Sequence, residues 1–171
     1  MFHYEFICVK NNLLILILSI LCISYACTEY PQYPDIPQVS YLYTNSTITQ
    51  TDKHIDFTFL LQDGDGDVGL SNADTAKPYT DSLYYNFHSK IRVTKNNNSF
   101  ILPYSLQYRI PQIRNKNSKK FIKADVTISI DFAQNLFPYD TIQLIYYVYD
   151  RALHKSNIDT SKAIIFYSPK N

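Results

Sequence analysis

Carboxylates at alternate positions are the feature of this sequence most able to do chemistry. Asp63, Asp65 and Asp67 are separated by Gly64 and Gly66, and Asp74 follows eleven residues after the first acid. Two unit charges ~5 Å apart repel by on the order of 1 kcal/mol in water, and by more where solvent is partly excluded. A cation converts this repulsion into attraction, and ligands that are all oxygens suit calcium better than zinc. The spacing therefore favours a calcium site.

The same run resembles the calcium-binding loop Asp-x-Asp-x-Asp-Gly with an acid at its twelfth position, and Leu70 falls at the hydrophobic eighth position. The resemblance implies four side-chain ligands and a fifth ligand from a backbone carbonyl, namely Asp63, Asp65, Asp67, Asp74 and the carbonyl of Gly69. Val68 stands where that loop has its turn glycine, so we expect weak affinity, roughly 10⁻⁴–10⁻³ M. The alternative is a glycine-rich strand connection with solvated acids.

Motifs of the common catalytic machineries are absent from the sequence. It contains no Gly-x-Ser-x-Gly elbow, no His-Glu-x-x-His pair and no phosphate-binding glycine-rich loop before a helix. His54, His88 and His154 are far apart along the chain, so we interpret each as an ordinary surface or core residue. We predict that the protein is not an enzyme; a hydrolase that uses dispersed carboxylates is the alternative that no motif favours.

The elements that must position the acidic run are β-strands. Apolar residues alternate with polar ones over 55–61, 122–130 and 142–148, and alternation with period two places one set of side chains on each face of a strand. Strands are predicted near 38–43, 54–62, 83–95, 99–109, 121–131, 141–150 and 157–167, and one short helix at 132–136. The pattern predicts an all-β fold, an antiparallel sandwich of about seven strands over residues 38–171. The predicted interior residues are Phe57, Phe59, Ile128, Leu144 and Tyr146.

The N-terminus has the layout of an export signal. Lys10 precedes a nearly uninterrupted apolar run from Leu13 to Ile23, and small residues follow. The run is shorter than the ~20 residues that a membrane-spanning helix needs. We predict a removable signal peptide at 1–26; a retained anchor helix is the alternative. Removal leaves about 145 residues, enough for one domain that needs no metal or disulfide to fold.

The segment after the signal contains a candidate lipidation site. Ser24-Tyr25-Ala26-Cys27 resembles a bacterial lipobox, and an ordinary signal peptidase could also cut at the same bond. Cys8 and Cys22 leave with the signal, so Cys27 would have no disulfide partner in an oxidising compartment. We therefore predict that Cys27 is lipidated. Prolines at every third position from Pro31 to Pro37 predict a polyproline II tether over 27–37, with a disordered lead-in as the alternative.

Two further stretches resemble parts of known β-sandwiches. The stretch 136–141 resembles the corner before the sixth strand of fibronectin type III or immunoglobulin-like domains. The stretch 149–157 resembles the turn between the last two strands of many bacterial immunoglobulin-like domains. With the lipobox and the acidic run, most of the chain resembles uncharacterised outer-membrane lipoproteins of Bacteroidota. This resemblance implies the cell envelope, most simply the outer membrane, and it carries no assigned activity.

Charge and composition limit the choice of partners. Sixteen basic and fifteen acidic residues give a net charge of +1, whereas nucleic-acid binding needs a concentrated basic surface. We therefore predict no nucleic-acid partner, a membrane contact through the lipid, and an envelope protein or glycan as partner. The predicted function is a lipid-anchored cell-envelope protein with a non-catalytic binding or structural domain. The alternative is a surface glycan-binding module in which some of the sixteen tyrosines stack on sugar rings.

Overall fold

The computed structural model of the chain describes residues 32–49, 52–113, 121–133 and 137–166. The chain divides into two compact units, residues 1–31 and residues 32–171, and every described residue belongs to the second. The predicted signal peptide and Cys27 therefore lie outside the described residues. The compact unit begins at Gln32, six residues before the predicted start of the sandwich domain.

The second unit is a sandwich of two antiparallel sheets. Its strands are β1 (Gln38–Ile48), β2 (Asp52–Asp63), β3 (Phe87–Lys95), β4 (Asn98–Tyr108), β5 (Ile122–Ala133), β6 (Thr141–Val148), β7 (Asp159–Thr160) and β8 (Ile164–Ile165). One sheet has the order β1-β2-β5; the other has the order β4-β3-β6, and both β7 and β8 pair with the far side of β6. The predicted all-β sandwich is confirmed.

Aromatic side chains from both sheets meet in the core. On β2, Phe57 and Phe59 have no exposed surface, and their rings lie 4.8 Å and 5.2 Å from the ring of Tyr146 on β6. Phe87 on β3 completes the cluster at 5.6 Å from Phe59. Such ring pairs add about 0.5–1.5 kcal/mol beyond the area that they bury. All five predicted interior residues are buried, so this part of the sequence analysis is confirmed.

Some element boundaries differ from the prediction. A short 3₁₀ helix, Asp81–Tyr84, occupies the first positions assigned to the third strand, so β3 starts at Phe87.

The predicted last strand is split into β7 and β8. Between them, the Ser161 N–H donates to the Leu144 carbonyl at 2.9 Å, and the Ser161 hydroxyl oxygen accepts the Leu144 N–H at 2.9 Å. A side chain thus replaces a backbone acceptor and interrupts the regular ladder. The short helix predicted at 132–136 is wrong at its first two positions, because β5 continues to Ala133; residues 134–136 lie outside the described part.

The connections that matter for the candidate site leave one end of the sandwich. Asp63 at the end of β2 pairs with Ile122 at the start of β5, and Phe87 at the start of β3 pairs with Val148 at the end of β6. The acidic loop (residues 63–74) and the β6–β7 turn (residues 149–156) therefore lie at this same end. An isolated bridge between Val68 and Asp150 joins the two.

Candidate metal centre

Strand β2 carries the first carboxylate of the acidic loop into the core. Ile55, Phe57, Phe59 and Leu61 form its inward row, and Asp63 is the next member of that row. All five have no exposed surface. The alternation that builds the core therefore also buries a carboxylate at the end of the strand.

Glycines allow the chain to turn back after Asp63. Gly66 has φ +74° and Gly69 has φ +105°, backbone angles that residues other than glycine rarely adopt. A Cβ at Gly69 would also collide with the carbonyl oxygen of Pro111, which passes close by. The loop is thus folded tightly enough to bring its acids together.

The structure brings together three of the four predicted side-chain ligands. One carboxylate oxygen from each of Asp63, Asp65 and Asp67 lies within 4.8 Å of the other two. Because each calcium–oxygen distance is about 2.3–2.6 Å, two oxygens on one ion lie at most ~5 Å apart. The three oxygens are therefore close enough to share one calcium ion with little adjustment.

Two buried carboxylate oxygens of this group lack a hydrogen-bond donor among the described residues. Asp63 Oδ2 accepts the N–H groups of Asp67 at 2.8 Å and Val68 at 3.3 Å, while its Oδ1 is buried without a partner. Asp67 Oδ2 accepts the Ala152 N–H at 3.2 Å, and its Oδ1 is likewise buried and unpartnered. A buried carboxylate oxygen without a donor is costly, and a cation would satisfy both.

The negative charges of the three carboxylates repel one another. Burial raises the pKa of Asp63 to about 6; the charge of Asp65 adds to the shift, and the N–H groups of Asp67 and Val68 oppose it. Burial also raises the pKa of Asp67, with further contributions from the charges of Asp150 and Asp65. A bound divalent cation reverses this effect, because it favours the ionised form of every carboxylate around it.

Asp74, the predicted twelfth-position ligand, is placed elsewhere. Its two oxygens accept from the Arg151 guanidinium at 2.5 Å and 3.1 Å, and one of them also accepts the N–H and the hydroxyl of Ser71. Arg151 and Ser71 hold the pKa of Asp74 well below its usual range. Asp74 is not brought into the three-carboxylate group. Gly69 is buried beside Pro111, and its role as a carbonyl ligand stays a prediction.

The β6–β7 turn supports the acidic loop, a role that sequence reasoning missed. Besides the contacts of Arg151 and Ala152, Asp150 is buried and accepts the His154 N–H at 2.7 Å. The ring Nδ1 of His154 lies 2.9 Å from the other oxygen of Asp150. In the stretch 149–157, Asp150 and His154 are four residues apart, a spacing that could have indicated a turn stabilised by a hydrogen bond between them. Nothing in the sequence pairs Arg151 with Asp74.

The three histidines have separate surroundings. His54 lies between Asp131 at 2.7 Å and Asp56 at 3.2 Å on the outer face of the first sheet. The ring of His88, on the second sheet, stacks on Tyr147 with 5.2 Å between centroids. In the part of the chain that the structure describes, the acidic group is the only cluster of three or more potential metal-ligating acids, histidines or cysteines.

Comparisons of the chain with protein-family models, with curated proteins and with solved structures find no match. Over residues 32–166, wherever the structure describes them, no helix combines the length and apolar character needed to cross a membrane.

Proposed function

We propose that this chain is a lipid-anchored, non-catalytic cell-envelope protein whose β-sandwich binds a calcium ion at the acidic loop. The observation that carries the calcium part is the pair of buried, unpartnered oxygens on Asp63 and Asp67. The carboxylates of both residues lie near that of Asp65, which is exposed. The two buried oxygens fix two ligands, and the exposed carboxylate leaves a route for the ion from solvent.

The ligand chemistry favours calcium over other divalent ions. The group offers only carboxylate oxygens, which calcium binds in a flexible shell of 6–8 oxygens, whereas zinc prefers nitrogen and sulfur. Magnesium binds with few protein carboxylates and retains much of its water. Three side-chain ligands leave positions for water or backbone carbonyls. Because Asp74 forms an ion pair with Arg151, we still expect the site to bind calcium with weak affinity.

Calcium binding is tested by isothermal titration calorimetry on a soluble form, residues 28–171. We expect a dissociation constant of roughly 10⁻⁴–10⁻³ M. Asp65→Asn removes the negative charge of one ligand without disturbing the core and should weaken binding by about tenfold, a loss within the range seen for charged contacts. Asp125→Asn, an exposed acid on β5, is the matched control. Equal affinity of Asp65→Asn and wild type would show that the charge of Asp65 does not contribute to binding, which would contradict the proposed site.

The anchor part of the proposal is supported by the sequence around Cys27. The compact unit starts five residues after this cysteine, which leaves a short connection to the domain. Metabolic labelling with a fatty-acid analogue should mark the wild-type protein and leave Cys27→Ser unmarked. Equal labelling of both proteins would exclude Cys27 as the lipidation site.

Of the two sandwich types that the sequence resembles, we propose the fibronectin type III-like one. In an immunoglobulin constant domain the fourth strand joins the sheet of the first, second and fifth strands. Here β4 pairs with β3 in the other sheet.

The glycan-binding alternative gains less support, because exposed aromatic side chains are spread over β1, the 3₁₀ helix and β4. A sugar platform needs them in one row.

A further inference from the structure

We propose that calcium at the acidic loop fastens the N-terminal segment, residues 32–37, to the β-sandwich. The ion would thereby control how firmly the segment that precedes β1 is held against the domain. This inference rests on the calcium site proposed above.

The segment touches the loop between two of the proposed ligands. The Gly64 N–H donates to the Pro34 carbonyl at 2.8 Å. Gly64 lies between Asp63 and Asp65, and a Cβ there would collide with the carbonyl oxygens of Tyr33 and Pro34. The segment therefore passes directly against the backbone of the metal loop, at a position where only glycine fits.

Other contacts of the segment lie away from the loop. The ring of Tyr33 packs on Phe121 with 5.3 Å between centroids, and Pro37 is buried just before β1. The Pro34–Gly64 hydrogen bond is made by the loop itself, so an ion in the loop can act on the segment through it. Tyr33 offers a site at which docking can be weakened without changing any carboxylate.

The physical link is the position of Gly64. Without a cation, the carboxylates on either side of Gly64 repel each other, which favours loop conformations that separate them. A shared ion draws them together and holds the backbone between them, including the N–H that Pro34 accepts. Coupling of this kind is reciprocal: by the factor that calcium strengthens docking of the segment, docking must strengthen calcium binding.

Hydrogen exchange of individual amides by NMR tests the coupling. The soluble form, residues 28–171, is suitable because the whole described core lies within the compact unit that begins at Gln32. Excess calcium should slow exchange of the Gly64 amide by about tenfold relative to chelator, within the usual range of coupling between sites. The Leu144 amide, which donates to the Ser161 hydroxyl in the middle of β6 and belongs to a residue with no exposed surface, reports any global stabilisation. Equal slowing at both amides, with calcium bound by calorimetry, would overturn the fastening and leave the calcium site intact. Absence of any heat of binding would overturn both.

The reciprocal measurement uses a variant outside the loop. Tyr33→Ala removes the ring contact with Phe121 and should weaken calcium binding by roughly fivefold, the lower end of common coupling factors. Tyr43→Ala is the matched control, because Tyr43 is a tyrosine of β1 with 50% of its surface exposed. If Tyr33→Ala binds calcium as tightly as the wild type and as Tyr43→Ala, the segment and the ion are not coupled.

Discussion

Asp63 belongs to the hydrophobic core by position and to the candidate metal site by chemistry. Burial raises its pKa to about 6, while an aspartate in an unfolded chain has a pKa of about 3.9. Between about pH 4 and pH 6 the folded protein therefore holds more protons than the unfolded one. The free energy of unfolding contributed by this group falls as the pH rises through that window. A cation that favours the ionised form cancels this loss.

The contribution of Asp74 to stability depends on pH in the opposite direction to that of Asp63, although both residues lie in the same run of acids. Arg151 lowers its pKa, so its contribution to stability is present above the unfolded pKa and is lost as the pH falls below it. The sequence spacing predicted the convergence of Asp63, Asp65 and Asp67, because alternate positions in a tight glycine-rich turn face one another. The spacing could not show that Asp74 lies apart from these three acids, because the guanidinium that holds it comes from a residue 77 positions away.

At the scale of elements, alternation predicted the strands well where one face of a sheet is buried. The five-residue interior set was identified correctly because burial forces a strict period of two. The last strand was harder to predict, because its residues bond through side chains. Ser156 and Ser161 each donate an N–H to β6 and accept a β6 N–H on their hydroxyl oxygens. No periodicity in a sequence reports this exchange.

The edge of β1 is bound to the segment around β7 by side chains. Asn157 accepts the Val39 N–H and donates to the Val39 carbonyl, both at 2.8 Å. Asp159 accepts the Tyr41 N–H at 2.6 Å and the Tyr146 hydroxyl at 3.1 Å. These contacts join the two sheets along one side of the sandwich and cover part of an otherwise open strand edge.

Asn157→Ala should therefore destabilise the domain. The substitution removes two hydrogen bonds and leaves the N–H and carbonyl of Val39 without these partners, at a cost of about 1–3 kcal/mol. Urea unfolding of the soluble form measures the change. Asn45→Ala, at an exposed position of β1, should change stability by less than about 0.5 kcal/mol. An unchanged urea midpoint for Asn157→Ala would show that the side-chain contacts do not close this edge.

At the scale of the whole molecule, one end of the sandwich combines three features. The N-terminal segment, the acidic loop and the β6–β7 turn are joined there through Gly64, Val68 and Asp150. The opposite end holds the end of β5 and the start of β6. A calcium ion at the first end would add to the stability of the folded domain by mass action. With about 10 mM calcium and the expected affinity, the gain is roughly 1.4–2.7 kcal/mol.

Thermal unfolding of the wild type and of Asp63→Asn, in calcium and in chelator near neutral pH, tests the calcium site most directly. The asparagine retains an acceptor for the N–H groups of Asp67 and Val68, and its amide can donate to the neighbouring carboxylates. It also removes a buried charge whose pKa shift corresponds to on the order of 2–3 kcal/mol.

We predict a reversal of order between the two conditions. In chelator, Asp63→Asn should unfold at a higher temperature than the wild type, because the uncompensated charge is gone. In calcium, the wild-type midpoint should rise by about 3–10 °C and the variant should respond little. Coincident wild-type midpoints in calcium and chelator, together with a variant that is less stable in both, would contradict the calcium site.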